Sequence, residues 1–351
     1  PELDLTLTAA TGAPPADASP APTLLTLESN SANLNATAAA RIEGDTVRLP
    51  GDGAQLKLAK AGPLAGRMLA NAGVSVDSGL AVTVTLTDVA LDLARLRGSA
   101  PDLRGIAGMA RIETGASTGS LALAGQPVKR FALSPILATL DARDLATGIA
   151  LKASGSAKVD GQNAGMVNVD LTASGLVHAD GTAVASIPAL KGEASIEDIS
   201  TAIAQPLVEA MGFDLPGGVG PNLGITLKAS GKGGDTPAGG LPATDLDLTI
   251  KSANLNGSLA MTLDGRAIRK RGGDAVFSLK SPGALAGKAA QKSGIALSEG
   301  GYAKATLKSF ALVLDERWSP RLDETAANVE LNVGGFSVTT LPAPAGPGLT
   351  A

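Results

Sequence analysis

The 351-residue sequence contains no cysteine, one histidine and very few aromatic residues. The absence of cysteine excludes disulfides, zinc–thiolate sites and cysteine nucleophiles. Aromatic residues make up only 2% of the chain, so its hydrophobic content of 44% consists mainly of alanine, valine, leucine and isoleucine. Because these side chains fill little volume each, they suit thin and regular layers better than a compact globular core.

Strong charge of one sign and long hydrophobic runs are also missing. The formal net charge is −4, and the chain has neither the basic stripes nor the stacking aromatics that nucleic-acid binding requires. We therefore expect no nucleic-acid partner. The apolar runs are far shorter than the roughly 20 residues needed to span a bilayer, and no signal peptide is recognisable. Since the chain begins with proline rather than methionine, we expect it to be a processed product or a segment of something longer.

What the sequence does contain is an internal repeat. The pentapeptide S-A-N-L-N begins at Ser31 and again at Ser252, 221 positions later. The agreement at this offset extends from residues 25–93 to residues 246–314, with glycine on glycine and leucine on leucine at several positions. A shorter spacing of 76 residues separates GIALKASG at Gly148 from GITLKASG at Gly224. The sequence therefore predicts repeated units of roughly 70 to 80 residues, each a small sheet in itself.

Within each unit the apolar residues alternate with polar ones. This period of two predicts strands with one apolar and one polar face. Turn signals such as Asp264-Gly265 and Glu43-Gly44 separate the strands, as hairpins require, so we expect an antiparallel meander. The alternating apolar positions are Leu80, Val82, Val84, Leu86, Ile225, Leu227, Leu246, Leu248 and Ile250.

One helical stretch is predicted in each full unit. The clearest is near 198–211, where apolar residues fall at helical spacing, Pro206 can introduce a kink and Gly212 occupies the stop position. The others lie near 63–72, 134–144 and 283–293. The predicted organisation is repeat 1 at 1–79, repeat 2 at 80–147, repeat 3 at 148–223, repeat 4 at 224–300, and a partial repeat with a proline- and glycine-rich tail at 301–351.

A mainly β, elongated antiparallel meander of this kind carries a continuous apolar face that must be covered or must serve a ligand. Two solutions remain open. The sheet can stack or close on itself with a filled core, or it can form a curved half-pipe whose apolar groove holds acyl chains. The scarcity of aromatics favours the groove, because aliphatic side chains give a lining without polar groups.

The phrases NLNGSLAMTLDGRA, LDLTIKSANLNG and VDLTASGL resemble the glycine-punctuated hairpins of the AsmA-like proteins, bacterial members of the repeating β-groove lipid-transfer family. The resemblance covers nearly the whole chain and lies in pattern rather than in a diagnostic motif. It implies a periplasmic protein anchored in the inner membrane. It also implies phospholipid as the ligand, inner- and outer-membrane envelope proteins as partners, and a role in phospholipid movement or outer-membrane biogenesis and integrity.

Two positively charged or aromatic stretches are candidates for contact with lipid head groups or a partner. The segment GRAIRKRGGD carries Arg266, Arg269, Lys270 and Arg271, which could meet lipid phosphates or could form a solvated hairpin tip. Only Arg48 matches in the first copy. The only tryptophan, Trp318, lies in LDERWSPRLDE, which could be a docking loop or an edge turn with local ion pairs.

Enzymatic chemistry has little support. The single histidine, His178, lies in a glycine-rich turn with no second ligand at a fixed spacing, so we expect a hairpin residue rather than a metal or triad histidine. A glycan hydrolase would need paired carboxylates and usually aromatic sugar platforms. We therefore expect a protein without catalytic residues, metal or cofactor. The alternative to lipid handling is a structural or adhesive extracytoplasmic spacer with a closed core.

Overall fold

The computed structural model describes residues 4–13, 21–49, 53–59, 74–76, 80–97, 100–122, 128–184, 188–234, 241–315 and 319–341. The chain is mainly β, with 64% of residues in strands and 10% in helices, and the sheet is an antiparallel meander. The fold class expected from the alternation of apolar and polar residues is therefore confirmed.

The described strands are between 3 and 15 residues long. The first eleven are β1 (Asp4–Thr11), β2 (Thr23–Asn30), β3 (Leu34–Glu43), β4 (Thr46–Arg48), β5 (Ala54–Leu58), β6 (Val74–Val76), β7 (Val82–Asp92), β8 (Ile106–Thr114), β9 (Ser117–Leu121), β10 (Lys129–Leu133) and β11 (Leu137–Asp141). The others are β12 (Ile149–Val159), β13 (Gln162–Ser174), β14 (Ala189–Ser200), β15 (Asn222–Gly231), β16 (Leu241–Ser252), β17 (Leu255–Gly265), β18 (Ala267–Lys270), β19 (Ala275–Leu279), β20 (Ile295–Leu297), β21 (Tyr302–Leu314), β22 (Pro320–Gly334) and β23 (Val338–Thr340).

Helices occupy few of the described residues. They are α1 (Leu93–Leu96), α2 (Gln205–Glu209), α3 (Leu215–Gly218) and α4 (Pro282–Lys292), with 3-10 turns at Leu103–Gly105 and Thr201–Ile203. The chain divides into two compact units. Unit 1 comprises Pro1–Gly161, Met166–Ala194 and Ala229–Thr244, and unit 2 comprises Gln162–Gly165, Ser195–Lys228 and Asp245–Ala351.

In unit 1 each strand lies antiparallel to its neighbours. β1 pairs with β2 and β2 with β3. β3 then pairs with the two short strands β4 and β5, which both pair with β7. β7 pairs with β8, β8 with β11 and β11 with β12. A side branch runs from β12 through β10 and β9 to β6.

Unit 2 repeats the central part of this pattern. β17 pairs with β18 and β19, both of these pair with β21, and β21 pairs with β22. β20 and β23 form a separate two-stranded sheet. The strand order β17, β18 and β19, β21 in unit 2 thus corresponds to β3, β4 and β5, β7 in unit 1.

The correspondence holds residue by residue at the offset of 221. Leu34 lies opposite Leu58 in unit 1, and Leu255 lies opposite Leu279 in unit 2. The same shift relates the β3–β4 pairs to the β17–β18 pairs, and the β4–β7 pairs to the β18–β21 pairs. The duplication seen in the sequence is therefore a duplication of strand register.

The S-A-N-L-N pentapeptide forms the turn between two consecutive strands in both copies. Ser31 Oγ accepts a hydrogen bond from the Leu34 backbone N–H at 2.9 Å, and Ser252 Oγ accepts one from the Leu255 N–H at 2.8 Å. A serine hydroxyl that closes a turn in this way satisfies a backbone donor at the point where the ladder stops. The pentapeptide recurs because both copies turn at the same place.

One pair of strand positions differs in size between the copies. Ala36 lies opposite Leu56 in unit 1, whereas Gly257 lies opposite Phe277 in unit 2. A Cβ atom on Gly257 would lie 2.0 Å from Phe277 Cδ1, so the ring covers the glycine. An aromatic side chain that covers a cross-strand glycine restores the packing that the glycine lacks.

Of the four predicted helices, the one near 283–293 coincides with α4. The one near 63–72 lies outside the described residues. The prediction near 134–144 is wrong, because Leu137–Asp141 is the strand β11, hydrogen-bonded between β8 and β12. Leu137 and Leu140 have helical spacing, but pairing on both edges satisfies the backbone of this short segment as a strand.

The helix predicted near 198–211 is only partly correct. Ile199 and Ser200 still belong to β14, and the helical residues split into a 3-10 turn at Thr201–Ile203 and α2. Pro206 lies in the first turn of α2 rather than at a kink, because its missing N–H has no intrahelical partner at that position anyway. The division into repeats 1–79, 80–147, 148–223 and 224–300 stays a prediction.

Candidate functional site

One face of the unit 1 sheet carries aligned apolar residues across many strands. In an antiparallel sheet, residues directly opposite each other point to the same side. Val84 lies opposite Leu56 on one neighbouring strand and opposite Ile112 on the other. The first row is Ala36, Leu56, Val84, Ile112, Ala138 and Ala153, and the second is Ala54, Leu86, Ala110, Leu140 and Leu151. These two rows define what we call the apolar face.

The apolar face is long enough to accommodate a hydrocarbon chain. The first row crosses six strands, and strand spacings of about 4.8 Å give it a length of about 24 Å. The acyl chains of one bilayer leaflet span roughly 15 Å, half of the hydrocarbon core. A ligand of that size would therefore contact several strands at once.

The opposite side of the same strands is polar. Arg41 pairs with Glu43 at 2.6 Å, and Arg111 pairs with Glu113 at 2.7 Å. Such exposed pairs contribute little to stability, in the range of about 0–1 kcal/mol each. Their consequence is that this side stays hydrated, so that the sheet has one wet and one apolar side.

The apolar face is not buried by the residues that the structure describes. Leu56 is 41% exposed, Leu86 38%, Ile112 40% and Leu140 41%. Leucine and isoleucine in a packed core are normally almost completely buried. The intermediate exposure of these four side chains is typical of residues that contact neighbours in their own sheet but have no second layer packed on top of them.

Unit 2 is packed more closely at the equivalent place. Among the described residues the buried hydrophobic side chains are Leu259, Leu263 and Ala275, all in this unit. Leu259 and Leu263 point to the same side of β17. Ile268 and Phe277, on the two neighbouring strands, point to this side as well. The equivalent residues of unit 1 at the offset of 221, Ala38, Ile42 and Ala54, are half-buried, so the two copies differ in how closely this place is packed.

The structure places the predicted groove residues in two groups. In unit 1, Val82, Val84 and Leu86 share the apolar side of β7, and Leu80 precedes the strand and is half-buried. In unit 2, alternate residues of one strand share a side. Ile225 and Leu227 do so on β15, and Leu246, Leu248 and Ile250 do so on β16, all of them half-buried except Leu227, which is exposed.

Sequence reasoning missed Leu56, Ile112 and Leu140, which belong to the same rows as the predicted residues. Leu56 alternates with Gln55 and Lys57, and Ile112 alternates with Arg111 and Glu113, so the period of two was present but short in both strands. Leu140 falls in the segment predicted as a helix. Only the strand register, which a single sequence does not contain, brings them beside Val84 and Leu86.

The four predicted cationic residues differ in their exposure and in their local interactions. Arg266 is half-buried in the turn after β17, and Arg269 is exposed on β18 at the position that matches Arg48. Lys270 Nζ donates to the carbonyl oxygens of Gly272 and Gly273. Arg271 pairs with two carboxylates, Asp245 at 3.3 Å and Asp247 at 2.9 Å. Trp318 lies outside the described residues.

His178 lies in a turn that clamps two distant parts of unit 1 together. Residues 178–182 contact the 3-10 turn at residues 102–105, and we call this contact the turn clamp. Arg104 donates to the carbonyl oxygens of Ala179 at 2.7 Å and Asp180 at 3.0 Å, and it forms a two-point pair with Asp102, both contacts 2.8 Å. The described residues contain no group of three or more metal-ligating side chains.

The turn clamp depends on a glycine. Gly181 has a φ of +91°, and a Cβ atom there would lie 1.8 Å from Asp102 Oδ1. Its carbonyl oxygen accepts from the Leu103 N–H at 2.8 Å. The glycine-rich turn around His178 is therefore structural, since it allows the backbone to approach the carboxylate.

The turn clamp makes stability depend on pH below 4. The hydrogen bonds from Arg104 lower the pKa of Asp102 to about 2, from an ordinary value of about 3.9. A carboxylate with a lowered pKa stabilises the folded state above its unfolded pKa, and this contribution disappears as the pH falls towards 2. We therefore expect Asp102→Asn to remove part of the loss of stability that the protein shows between about pH 4 and 2.

Urea unfolding followed by circular dichroism across this pH range measures the effect. Arg104→Ala serves as the matched variant, because it removes the cause of the pKa shift and should flatten the same window. The double variant should add no further flattening, since both changes act on one pair. An Asp102→Asn curve parallel to that of the unchanged protein between pH 4 and 2 would contradict this account.

The fold and the face together define the class of protein: an antiparallel β array with an internal duplication, in which the sheet of unit 1 has one polar side and one open apolar side. No described helix has the length and apolar character to cross a bilayer. Comparisons of the chain with protein-family models, with curated proteins and with solved structures find no match.

Proposed function

We propose that this protein binds phospholipid through its acyl chains along the apolar face and passes lipid along the sheet without catalysis. The observation that supports this most strongly is the pair of aligned rows in unit 1, whose large side chains remain about 40% exposed although they lie in the middle of the sheet. Acyl chains need no directional partner, so a lining of leucine, valine and alanine suits them.

The expected binding free energy of an acyl chain on the apolar face is large enough to retain the chain and still allows it to move along the face. Each buried methylene contributes about 0.8 kcal/mol, so that about ten of them would contribute about 8 kcal/mol before the loss of motional freedom is subtracted. Because the rows repeat from strand to strand with no polar break, neighbouring positions along the face have similar energies. A chain can then slide while its head group stays at the hydrated border.

The setting proposed for this activity follows the resemblance to AsmA-like proteins. It is the periplasm, with anchorage to the inner membrane and with inner- and outer-membrane envelope proteins as partners in outer-membrane biogenesis or integrity. Arg269, exposed at a hairpin of unit 2, is the candidate among the predicted cations for contact with a lipid phosphate, because Arg271 is already paired with two carboxylates.

The competing proposal, a β-repeat spacer with a closed core, has one observation in its favour. Leu259, Leu263 and Ala275 are buried, as core residues would be. A spacer needs no open face, however, and the exposed rows of unit 1 would then expose apolar surface to water without benefit.

Native mass spectrometry on gently purified protein, combined with lipid extraction, tests the proposal. We expect adducts with phospholipid masses, and a lower thermal midpoint after delipidation because a bound ligand stabilises the folded state. A lipid-free protein whose thermal midpoint is unchanged by detergent treatment and by added phospholipid vesicles would instead support the spacer.

A further inference from the structure

In the described part of each unit, one long strand is paired along one edge only. Among the described residues, β1 pairs with β2 along its whole length, and β22 pairs with β21. No other described strand pairs with either of them. The outer N–H and C=O groups of both strands have no partner strand among the described residues, and such a row is the usual template for adding a further strand.

The repeat shows what normally lies at such an edge. β8 stands beside β7 as β22 stands beside β21, and the second edge of β8 pairs antiparallel with β11. Similarly, β15 carries the phrase ITLKASG that matches LTLTAATG on β1. A Cβ atom on Gly224 of β15 would lie 3.9 Å from the Ile196 carbonyl oxygen of β14 and 3.7 Å from the Lys251 carbonyl oxygen of β16, so the glycine lies between these two strands. The internal counterpart of each edge strand thus has strands on both sides.

The side chains of the edge strands are correspondingly overexposed. Leu5 and Leu7 of β1 are 64% and 69% exposed, whereas Leu227, the counterpart of Leu7, is 36% exposed. On β22, Leu331 is 65% exposed and Val329 55%. The excess is what the removal of one neighbouring strand would produce.

β1 lacks the features that prevent strand addition: it has no lysine, proline or bulge, and its single charge is Asp4 at one end. β22 carries such features in its first part, where Pro320, charged residues and two bulges lie. Its last part, residues 329–334, pairs in continuous register with β21 and has Glu330 as its one charge. Natural edge strands that remain unpaired usually carry such protection.

We propose that β22 of one copy of this chain pairs antiparallel with β1 of a second copy. Charge disfavours β22 with β22, because each β22 carries three carboxylates, Asp323, Glu324 and Glu330, against one arginine, Arg321, whereas β1 carries only Asp4. β1 instead offers Thr6 and Thr8 on its polar side. The contact joins different surfaces, so copies associate head to tail. The proposal does not depend on lipid binding.

Cross-linking tests the pairing directly, because the chain has no cysteine of its own. Leu7→Cys and Leu331→Cys are prepared as separate proteins, mixed, and treated with a short bismaleimide. We expect a cross-linked dimer as the main product in the mixture and only traces in either protein alone. Leu86→Cys is the matched control, since Leu86 is also on the apolar side but lies on the interior strand β7. It should give no dimer with either variant.

Blocking variants give a second and independent measurement. Leu7→Lys and Leu331→Lys each place a charge on one edge of every copy. Because each contact needs one β1 edge and one β22 edge, either variant alone should be monomeric in analytical ultracentrifugation. A mixture of the two should still form dimers through the remaining pair of edges. Dimers cross-linked through Leu7→Cys alone or Leu331→Cys alone would overturn head-to-tail pairing. A folded, strictly monomeric protein at all concentrations would overturn the edge proposal altogether.

Discussion

Replacing Val84 by aspartate is expected to remove most of the bound phospholipid while the protein stays folded. Val84 lies in the first row of the apolar face, with Leu56 and Ile112 directly opposite on the two neighbouring strands. A carboxylate there must lose hydration whenever an acyl chain covers the row, at a cost of about 1–3 kcal/mol. That cost corresponds to roughly a tenfold to hundredfold weaker retention. Native mass spectrometry of the purified variant measures the loss.

The matched control is one residue away. Thr85 lies on the polar side of the same strand, opposite Gln55 and Arg111, so Thr85→Asp introduces the same charge into a hydrated setting. It should retain lipid at the original level. Leu227→Asp makes the equivalent change in unit 2 and should also reduce retention. Equal lipid content in Val84→Asp and Thr85→Asp would contradict binding at the apolar face.

The second large effect concerns the start of helix α4. Gly283 is buried, and a Cβ atom at this position would lie 1.7 Å from the backbone carbonyl oxygen of Ser298. A backbone atom cannot turn aside as a side chain can, so Gly283→Ala must push the helix away from residues 297–300. We expect the free energy of unfolding to fall by about 2–3 kcal/mol, as for overpacked cores.

Gly287 provides the control within the same helix. A Cβ atom there would meet nothing within 4 Å. Gly287→Ala should therefore raise the free energy of unfolding by about 0.5–1 kcal/mol, because alanine loses less backbone entropy in a helix. Urea unfolding of both variants measures the two opposite signs. A loss of stability in both, or in neither, would show that the contact between Gly283 and Ser298 does not restrain the helix.

Much of the fold was predictable from local patterns. Alternation along β7 and β16 identified strands with one apolar side, and the S-A-N-L-N repeat identified two equivalent hairpins. Helix α4 was predictable because Pro282 can start a helix and small apolar residues follow at helical spacing. These features depend on neighbours in the sequence, and a single sequence contains that information.

The failures lie where distant strands decide the outcome. Leu137–Asp141 is short enough to be compatible with either structure, and β8 and β12 on its two sides make it a strand. For the same reason only part of the candidate site was predictable. The composition of the face followed from Val82, Val84 and Leu86, but the alignment with Leu56, Ile112 and Leu140 depends on register between strands.

The Phe277–Gly257 pair has a consequence for how the two copies can diverge. In unit 1 the equivalent positions are occupied by Ala36 and Leu56. The two copies therefore divide the volume of the pair differently between its two side chains. Changing Gly257 alone would force its new methyl group into the Phe277 ring. Changing Phe277 alone would leave the glycine uncovered. We therefore expect the two cross-strand positions to change together during evolution, because the combined volume of their side chains is constrained whereas the size of each one is not.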